Sequence, residues 1–344
     1  MSEITSRVRV HRLDAAKGAL IALVVLGHLL EATAGWDARS TRLPLTGIYM
    51  FHMPAFVFLA GVTAKATQLP RRIGTYMVLL ALFQTLYFFA VQVLALERTF
   101  SPIVPFWILW FLLAMCWWQM LVPIIARFPR SSIMLAILVS IASGTIESIG
   151  YDFTLSRALV FLPFYVVGAS YGQVILSAAA RMPVAWKIMG ACMAIGAWML
   201  LYFQEVRPRW FYGSFSYERL DVPDAQGVLI RIGLLCIASA TVVIFLSLMP
   251  NKDGLLAMLG RRSLAIYVMH GFLVLAATPY LPAVLEGAGS AAAFSACLVL
   301  TALTVAIFAI PGFDKSIRGF TQLVVGLLLF PFERAKERPS ARRD

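Results

Sequence analysis

Lys17 and His28 lie eleven residues apart in the run RLDAAKGALIALVVLGHLLEA, so on a helix they sit about 20° apart around the axis and about 16 Å along it. Asp14 falls about 60° to one side of Lys17 and Glu31 about 40° to the other, which gathers four ionisable groups into a stripe of roughly 100°. Ionisable side chains in hydrocarbon cost about 2.5–3.5 kcal/mol each on insertion scales, which makes those that persist there functional candidates. A neutral imidazole accepts a proton near pH 7, so the chemistry on offer is intramembrane proton transfer, by a general base or along a relay. The stripe must then face a protein interior or a wet cavity. Asp14, Lys17 and Glu31 also have a plainer reading, as charges at the two rims of a membrane span. That reading does not cover His28, which needs partners inside the apolar layer.

The next apolar run enters with IYMFHMPAFVFLAG, which puts His52 at the depth of His28 on a neighbouring helix, where the two rings can face each other. Pro54 interrupts the helical bonding one turn in and Gly61 thins the helix below, so a bend around a cavity is expected. In GRRSLAIYVMH, Ser263, Tyr267 and His270 fall within about 60° of one another on a helix. Arg261 and Arg262 precede them, either as an anchor reading anionic lipid or as a phosphate clamp for a cytoplasmic cofactor. In FWILWFLLAMCWW, Trp107, Trp110 and Trp118 share a stripe, and Trp117 and Trp118 lie too deep for an interfacial belt. Cys116, Cys192, Cys236 and Cys297 lack metal-site or disulfide spacing and read as small buried hydrophobes; no metal site is expected.

These residues need membrane helices to hold them. Of 344 residues, 60% are hydrophobic and only 13% charged, against about 25% charged in soluble domains. With a mean hydropathy of +0.83, that excludes a water-soluble globule and a disordered chain. Ten apolar runs of about 20 residues, the length a crossing helix needs, occupy 13–33, 45–64, 73–96, 105–126, 132–149, 157–177, 187–203, 227–249, 263–285 and 291–310. The expected fold class is all-α, a polytopic membrane helix bundle. The net charge of +12 is divided unevenly, with 21 of 29 Lys and Arg on one side, Arg7, Arg9, Arg12, Lys65, Arg71 and Arg72 among them. By the positive-inside rule both termini are cytoplasmic, and the basic charge marks a membrane rather than a nucleic-acid partner.

The polar first dozen residues lead into a full-length span, so a cleavable signal is not expected. No fixed-period repeat is visible, which removes one hint of an inverted-repeat transporter. The one long outer loop is 204–226. Residues 1–318 read as the transmembrane domain, and 319–344 as an interfacial or re-entrant helix with a basic tail.

The run Arg12-Leu-Asp14-Ala-Ala-Lys17-Gly18 with Gly27-His28 resembles the opening of the acyltransferase 3 family of membrane O-acyltransferases, marked by a basic residue, ten positions and a histidine. Further matches follow in family order: Met53-Pro54-Ala-Phe56 with Ala60-Gly61, Leu109-Trp110-Phe111-Leu112, Phe161-Leu162-Pro163-Phe164 with Gly168, and Leu259-Gly260-Arg261-Arg262-Ser263-Leu264 with Tyr267 and His270. Together they cover about 12–270, and the fucose O-acetylase-like subgroup is the most similar. The family's arginine-any-any-arginine motif is replaced by adjacent Arg71 and Arg72.

The resemblance implies transfer of an acyl group, usually acetyl from cytoplasmic acetyl-CoA, to a hydroxyl of an extracytoplasmic or lipid-linked glycan, with membrane lipid around it. Such a transfer needs a base for the hydroxyl proton and donors for the developing oxyanion. His28 is the candidate base, oriented by Glu31 or by Asp14 through a neighbour. Lys17, Arg71, Arg72, Arg261 and Arg262 are candidates for the coenzyme A phosphates on charge and side. His52, Trp110, Ser263, Tyr267 and His270 are candidates for the substrate pocket. Direct transfer and a transient acyl-histidine both remain open. The expected site of action is the bacterial cytoplasmic membrane. The rival reading is a proton-coupled secondary transporter, with His28, His52, Glu31 and Glu147 as its relay.

Overall fold

The computed structural model describes residues 11–97, 99–101 and 103–337, with side chains through 330, and the regular elements there are helical. Arg7, Arg9 and the end of the basic tail lie outside the described residues. In chain order the helices are α1 His11–Ala34, α2 Arg39–Tyr49, α3 His52–Val62, α4 Leu69–Val93, α5 Trp110–Arg127, α6 Pro129–Ala142, α7 Leu155–Val160 and α8 Leu162–Arg181. They continue as α9 Val184–Phe203, α10 Arg209–Tyr212, α11 Asp224–Leu248, α12 Leu255–Arg261, α13 Ser263–Ala277, α14 Leu281–Phe308 and α15 Pro311–Glu337.

Helix covers most of each of the ten apolar runs, and the polytopic bundle is as expected. Among the described residues, eight helical stretches are long and apolar enough to cross a bilayer: α1, α2 with α3, α4, α5 with its preceding turn, α8, α9, α11 and α14. The other two expected spans are shorter. Helices α6 and α13 have 14 and 15 residues, about 21–23 Å of helix against roughly 30 Å of hydrocarbon. Expected boundaries also move: α13 stops at Ala277, α14 begins at Leu281, and Gly289 departs from helical geometry with φ 82°. Residues 319–332 continue α15, a helix of 27 residues begun at Pro311, rather than forming a separate short element.

The expected bend in the second span is real but lies before Pro54. The chain breaks at Met50–Phe51, and Pro54 is the third residue of α3. A first-turn proline costs little, because the N–H it lacks would have had no intrahelical acceptor. The break, not the proline, turns His52 inward.

Close backbone contacts lock the bundle around the site. A Cβ on Gly61 would strike the Tyr165 carbonyl and one on Gly168 the Phe58 carbonyl, so α3 and α8 cross with only hydrogen atoms between them. The same holds for Gly18 against Leu256 and Gly260 against Asp14, where α12 meets α1. Small residues permit this approach, and in lipid such packing supplies much of the association energy. The Arg12 guanidinium donates to the carbonyls of Leu246 and Ser247, capping the C-terminus of α11.

Large apolar side chains of α4, α9, α11 and α14, among them Phe89, Ile188, Leu229 and Val299, point outward to where acyl chains would lie. That arrangement corrects the cysteine expectation in part: Cys116 and Cys297 are buried, whereas Cys192 and Cys236 on peripheral α9 and α11 are exposed. Position within an apolar run does not distinguish core from lipid, since both are dry.

Candidate active site

One face of α1 lines a cavity of about 590 Å³. Lys17, Ile21, Val24, His28 and Glu31, at helical spacings of three and four, all contribute to its wall. Their fourteen-residue extent corresponds to about 21 Å along the axis. Met53, Phe56 and Ala60 of α3, Thr63 just after it, Arg72 and Tyr76 of α4, Trp110 and Phe111 of α5, and Ser263 and Tyr267 of α13 complete much of the wall. Three of the four ionisable groups of the stripe, Lys17, His28 and Glu31, therefore face a cavity, and Asp14 does not.

His28 Nδ1 lies 3.1 Å from Glu31 Oε2. A carboxylate only accepts, so Nδ1 carries the proton and Nε2 is the basic nitrogen. The other carboxylate oxygen, Oε1, accepts from the Tyr212 hydroxyl at 2.6 Å and from Trp36 Nε1 at 3.3 Å. These donors fix Glu31, and Glu31 fixes the ring. Side-chain exposures of 15% for His28 and 21% for Glu31 leave both open only to the cavity they line. Burial, and then the neighbouring Glu31 charge, pushes the Tyr212 phenol well above the usual tyrosine range, which keeps it a donor.

The expected facing of His28 and His52 is replaced by a different pair. Tyr49 stands between those two, its ring 4.6 Å from the His52 ring and its hydroxyl 3.5 Å from His28 Nδ1. His28 instead stacks on His270, centroid to centroid 5.5 Å with an interplanar angle of 17°, and meets the Trp107 edge at 4.8 Å. His270 Nδ1 bonds the Tyr267 carbonyl at 2.7 Å, which directs its buried Nε2 away from any protein partner among the described residues. His52 Nδ1 bonds the Ile48 carbonyl across the α2–α3 break. Trp107 holds its place with φ 41°, a left-handed conformation uncommon for an aromatic residue.

The basic end of the cavity is smaller than charge and side alone suggested. Lys17 and Arg72 line it, together with Arg318 of α15, which no motif marks in the sequence. Arg71 is exposed and is not among the lining residues. Arg261 pairs with Asp253 at 2.8 Å and Arg262 donates to the Ala309 carbonyl at the end of α14, so both are occupied elsewhere. The Arg261 hydrogen bond holds the Asp253 carboxyl below its ordinary range. Asp14 sits by Lys17 in the first turn of α1, about 25 Å of helix from Glu31. It cannot touch His28.

His52, Ser263, Tyr267 and Trp110 line the cavity, with the Tyr267 hydroxyl donated to the Ile108 carbonyl, whereas His270 is fully buried and is not among the lining residues. Trp118 packs in the core and gives its Nε1–H to Ala158, whereas Trp117 points outward. Tyr49, Trp107, Arg157 and Tyr212 also belong to the wall. Trp36 and Tyr212 come from connections between spans, where periodicity gives no guide. Glu147 of the relay reading is exposed after α6, outside the cavity wall.

Residues 10–311 match the acyltransferase domain family Acyl_transf_3. The chain belongs to the acyltransferase 3 family. The family is one of acyltransferases, which disfavours the transporter reading. Among curated relatives, nodulation protein NolL of Sinorhizobium fredii is 45% identical over 56 residues, 16% of this chain and 15% of that protein. NolL of Mesorhizobium japonicum is 48% identical over 50 residues, 14% of this chain and 13% of its own. The matched segments therefore span a small part of those relatives. No solved structure matches the chain.

Proposed function

We propose that this acyltransferase moves an acetyl group from cytoplasmic acetyl-CoA to a hydroxyl of a glycan or lipid-linked sugar, across the bacterial cytoplasmic membrane with both termini inside. The observation that carries the reading is the single cavity wall shared by Lys17, Arg72 and Arg318 at one end and by His28 with Glu31 at the other. The cations suit the phosphates of an anionic donor. The acidic–imidazole pair suits proton abstraction from an alcohol. The family membership and the short matches to rhizobial nodulation proteins support the reaction class and a bacterial setting.

His28 Nε2 takes the hydroxyl proton as the new C–O bond forms at the acyl carbon. The same nitrogen returns that proton to the departing sulfur as the C–S bond breaks. Glu31 holds Nδ1–H throughout and offsets the charge on the imidazolium. Tyr212 and Trp36 keep Glu31 from turning away. Membranes bearing the protein, given labelled acetyl-CoA, are expected to place hydroxylamine-sensitive label on glycan or lipid. Absence of such label with an intact, inserted protein would overturn the proposal.

A further inference from the structure

A second cavity of about 490 Å³ adjoins the first, and Trp107, Trp110, Tyr151 and Arg157 line both. Arg157 stands on α7, its guanidinium 5.0 Å from the centre of the Trp110 ring and 5.3 Å from that of Tyr151. Its Nε donates to the Ser214 hydroxyl, two residues from the Tyr212 that bonds Glu31. Arg157 therefore lies at the His28–Glu31 end, away from Lys17.

Its placement is the unusual feature. Among the described residues, Arg42, Arg207, Arg261 and Arg318 each have a carboxylate partner. Arg157, like several other arginines, has no ion pair among the described residues, but it alone among the arginines lines both cavities. Its polar neighbours are neutral hydroxyls, of Ser214 and Tyr151. Arg231 is likewise without a carboxylate, but it is 2% exposed, wedged between Trp210 and Tyr217, and lines neither cavity. Arg231 closes a packing contact. Arg157 opens on a space large enough for a sugar.

A half-buried guanidinium facing a cavity with no anion beside it leaves its charge uncompensated, and its planar fork suits phosphate or carboxylate oxygens. The two aromatic faces hold that fork in place by cation–π contact. We propose that Arg157 binds an anionic group, phosphate or carboxylate, on a carbohydrate acceptor that enters through the second cavity and presents its hydroxyl to His28. This rests on the acyl-transfer reading for the identity of the ligand as acceptor.

The test is binding to the purified, lipid-embedded full chain, read as a shift in its thermal unfolding midpoint. The probes are glucose 1-phosphate, methyl glucuronide and methyl glucoside, with acetyl-CoA as a separate ligand. At least one anionic sugar is expected to stabilise the protein where methyl glucoside at the same concentration does not, and which one does so distinguishes phosphate from carboxylate. Arg157→Gln should weaken that anionic sugar by about tenfold or more while keeping the acetyl-CoA shift, which also reports an intact fold. Arg157→Lys keeps the charge but loses the fork, and should fall between the two. Equal binding of charged and neutral sugars by the unaltered protein would overturn the proposal with no variant needed, as would undiminished anion binding in Arg157→Gln. Loss of the acetyl-CoA shift in the unaltered protein would instead count against the donor assignment.

Discussion

Glu31 reaches His28 from one helical turn further along α1, Oε2 to Nδ1 at 3.1 Å, and by doing so selects which imidazole nitrogen faces the cavity. The spacing of three places both on one face of the helix. Tyr212, from the connection after α9, reaches across to the other carboxylate oxygen. A local pair is thereby tied to a distant segment.

His28→Ala is expected to lower acetyl transfer by about 10²–10⁴-fold, the usual value of a general base. Glu31→Gln should cost less, since the ring remains but loses its anionic partner. Because the two act as one unit, the double variant should be little worse than His28→Ala alone. Initial rates in membranes, normalised to inserted protein, decide this; additive losses would separate the two residues.

Lys17→Ala, Arg72→Ala and Arg318→Ala should each raise the KM for acetyl-CoA, by roughly tenfold for a lost charge-assisted contact. Arg71→Ala and Arg261→Ala should leave it near the starting value, because neither lines the cavity. Arg261 also has an exposed partner in Asp253, a kind of ion pair that contributes little to stability. Saturation curves in acetyl-CoA at fixed acceptor measure the contrast.

Much of this site is legible in the sequence, for a physical reason. Charge inside a hydrophobic run is expensive, so Lys17, His28 and Glu31 stand out, and the 100° geometry of a helix puts them on one face without any tertiary information. The eight helical stretches long enough to cross a bilayer follow from apolar length in the same way, whereas α6 and α13 fall short of the length their runs suggest. What does not follow is which partner each residue meets. His28 against His270 rather than His52 depends on a helix break at Met50–Phe51, and Arg261 and Arg262 are diverted by Asp253 and Ala309. Arg157, Trp36 and Tyr212 sit on short helices or connections, where no period marks the inward side.

Tyr212→Phe removes one of the donors to Glu31 and should reduce turnover by about tenfold while leaving the acetyl-CoA KM unchanged, as expected for a group acting through His28. The raised Tyr212 phenol also has a pH consequence. The unfolded chain ionises near pH 10 and the folded chain holds the proton longer, so the folded state loses ground as pH rises past that value. Thermal midpoints of the two proteins should draw together between about pH 9 and 11 as this penalty disappears with the phenol. Parallel curves would remove Tyr212 from the buried network.

Gly168→Ala tests whether the α3–α8 crossing positions the site. The added methyl meets the Phe58 carbonyl, and backbone cannot yield as a side-chain tip does. Overpacking of this kind costs about 1–3 kcal/mol, and it should also displace α3, which carries His52, Phe56 and Ala60 into the cavity wall. Gly319→Ala is the matched control, since a Cβ there has nothing within 4 Å and helical Gly→Ala is otherwise stabilising. A lowered midpoint and lost turnover are expected for Gly168→Ala, and an unchanged or raised midpoint for Gly319→Ala. If both variants behave alike, the close crossing is not what holds the cavity in shape.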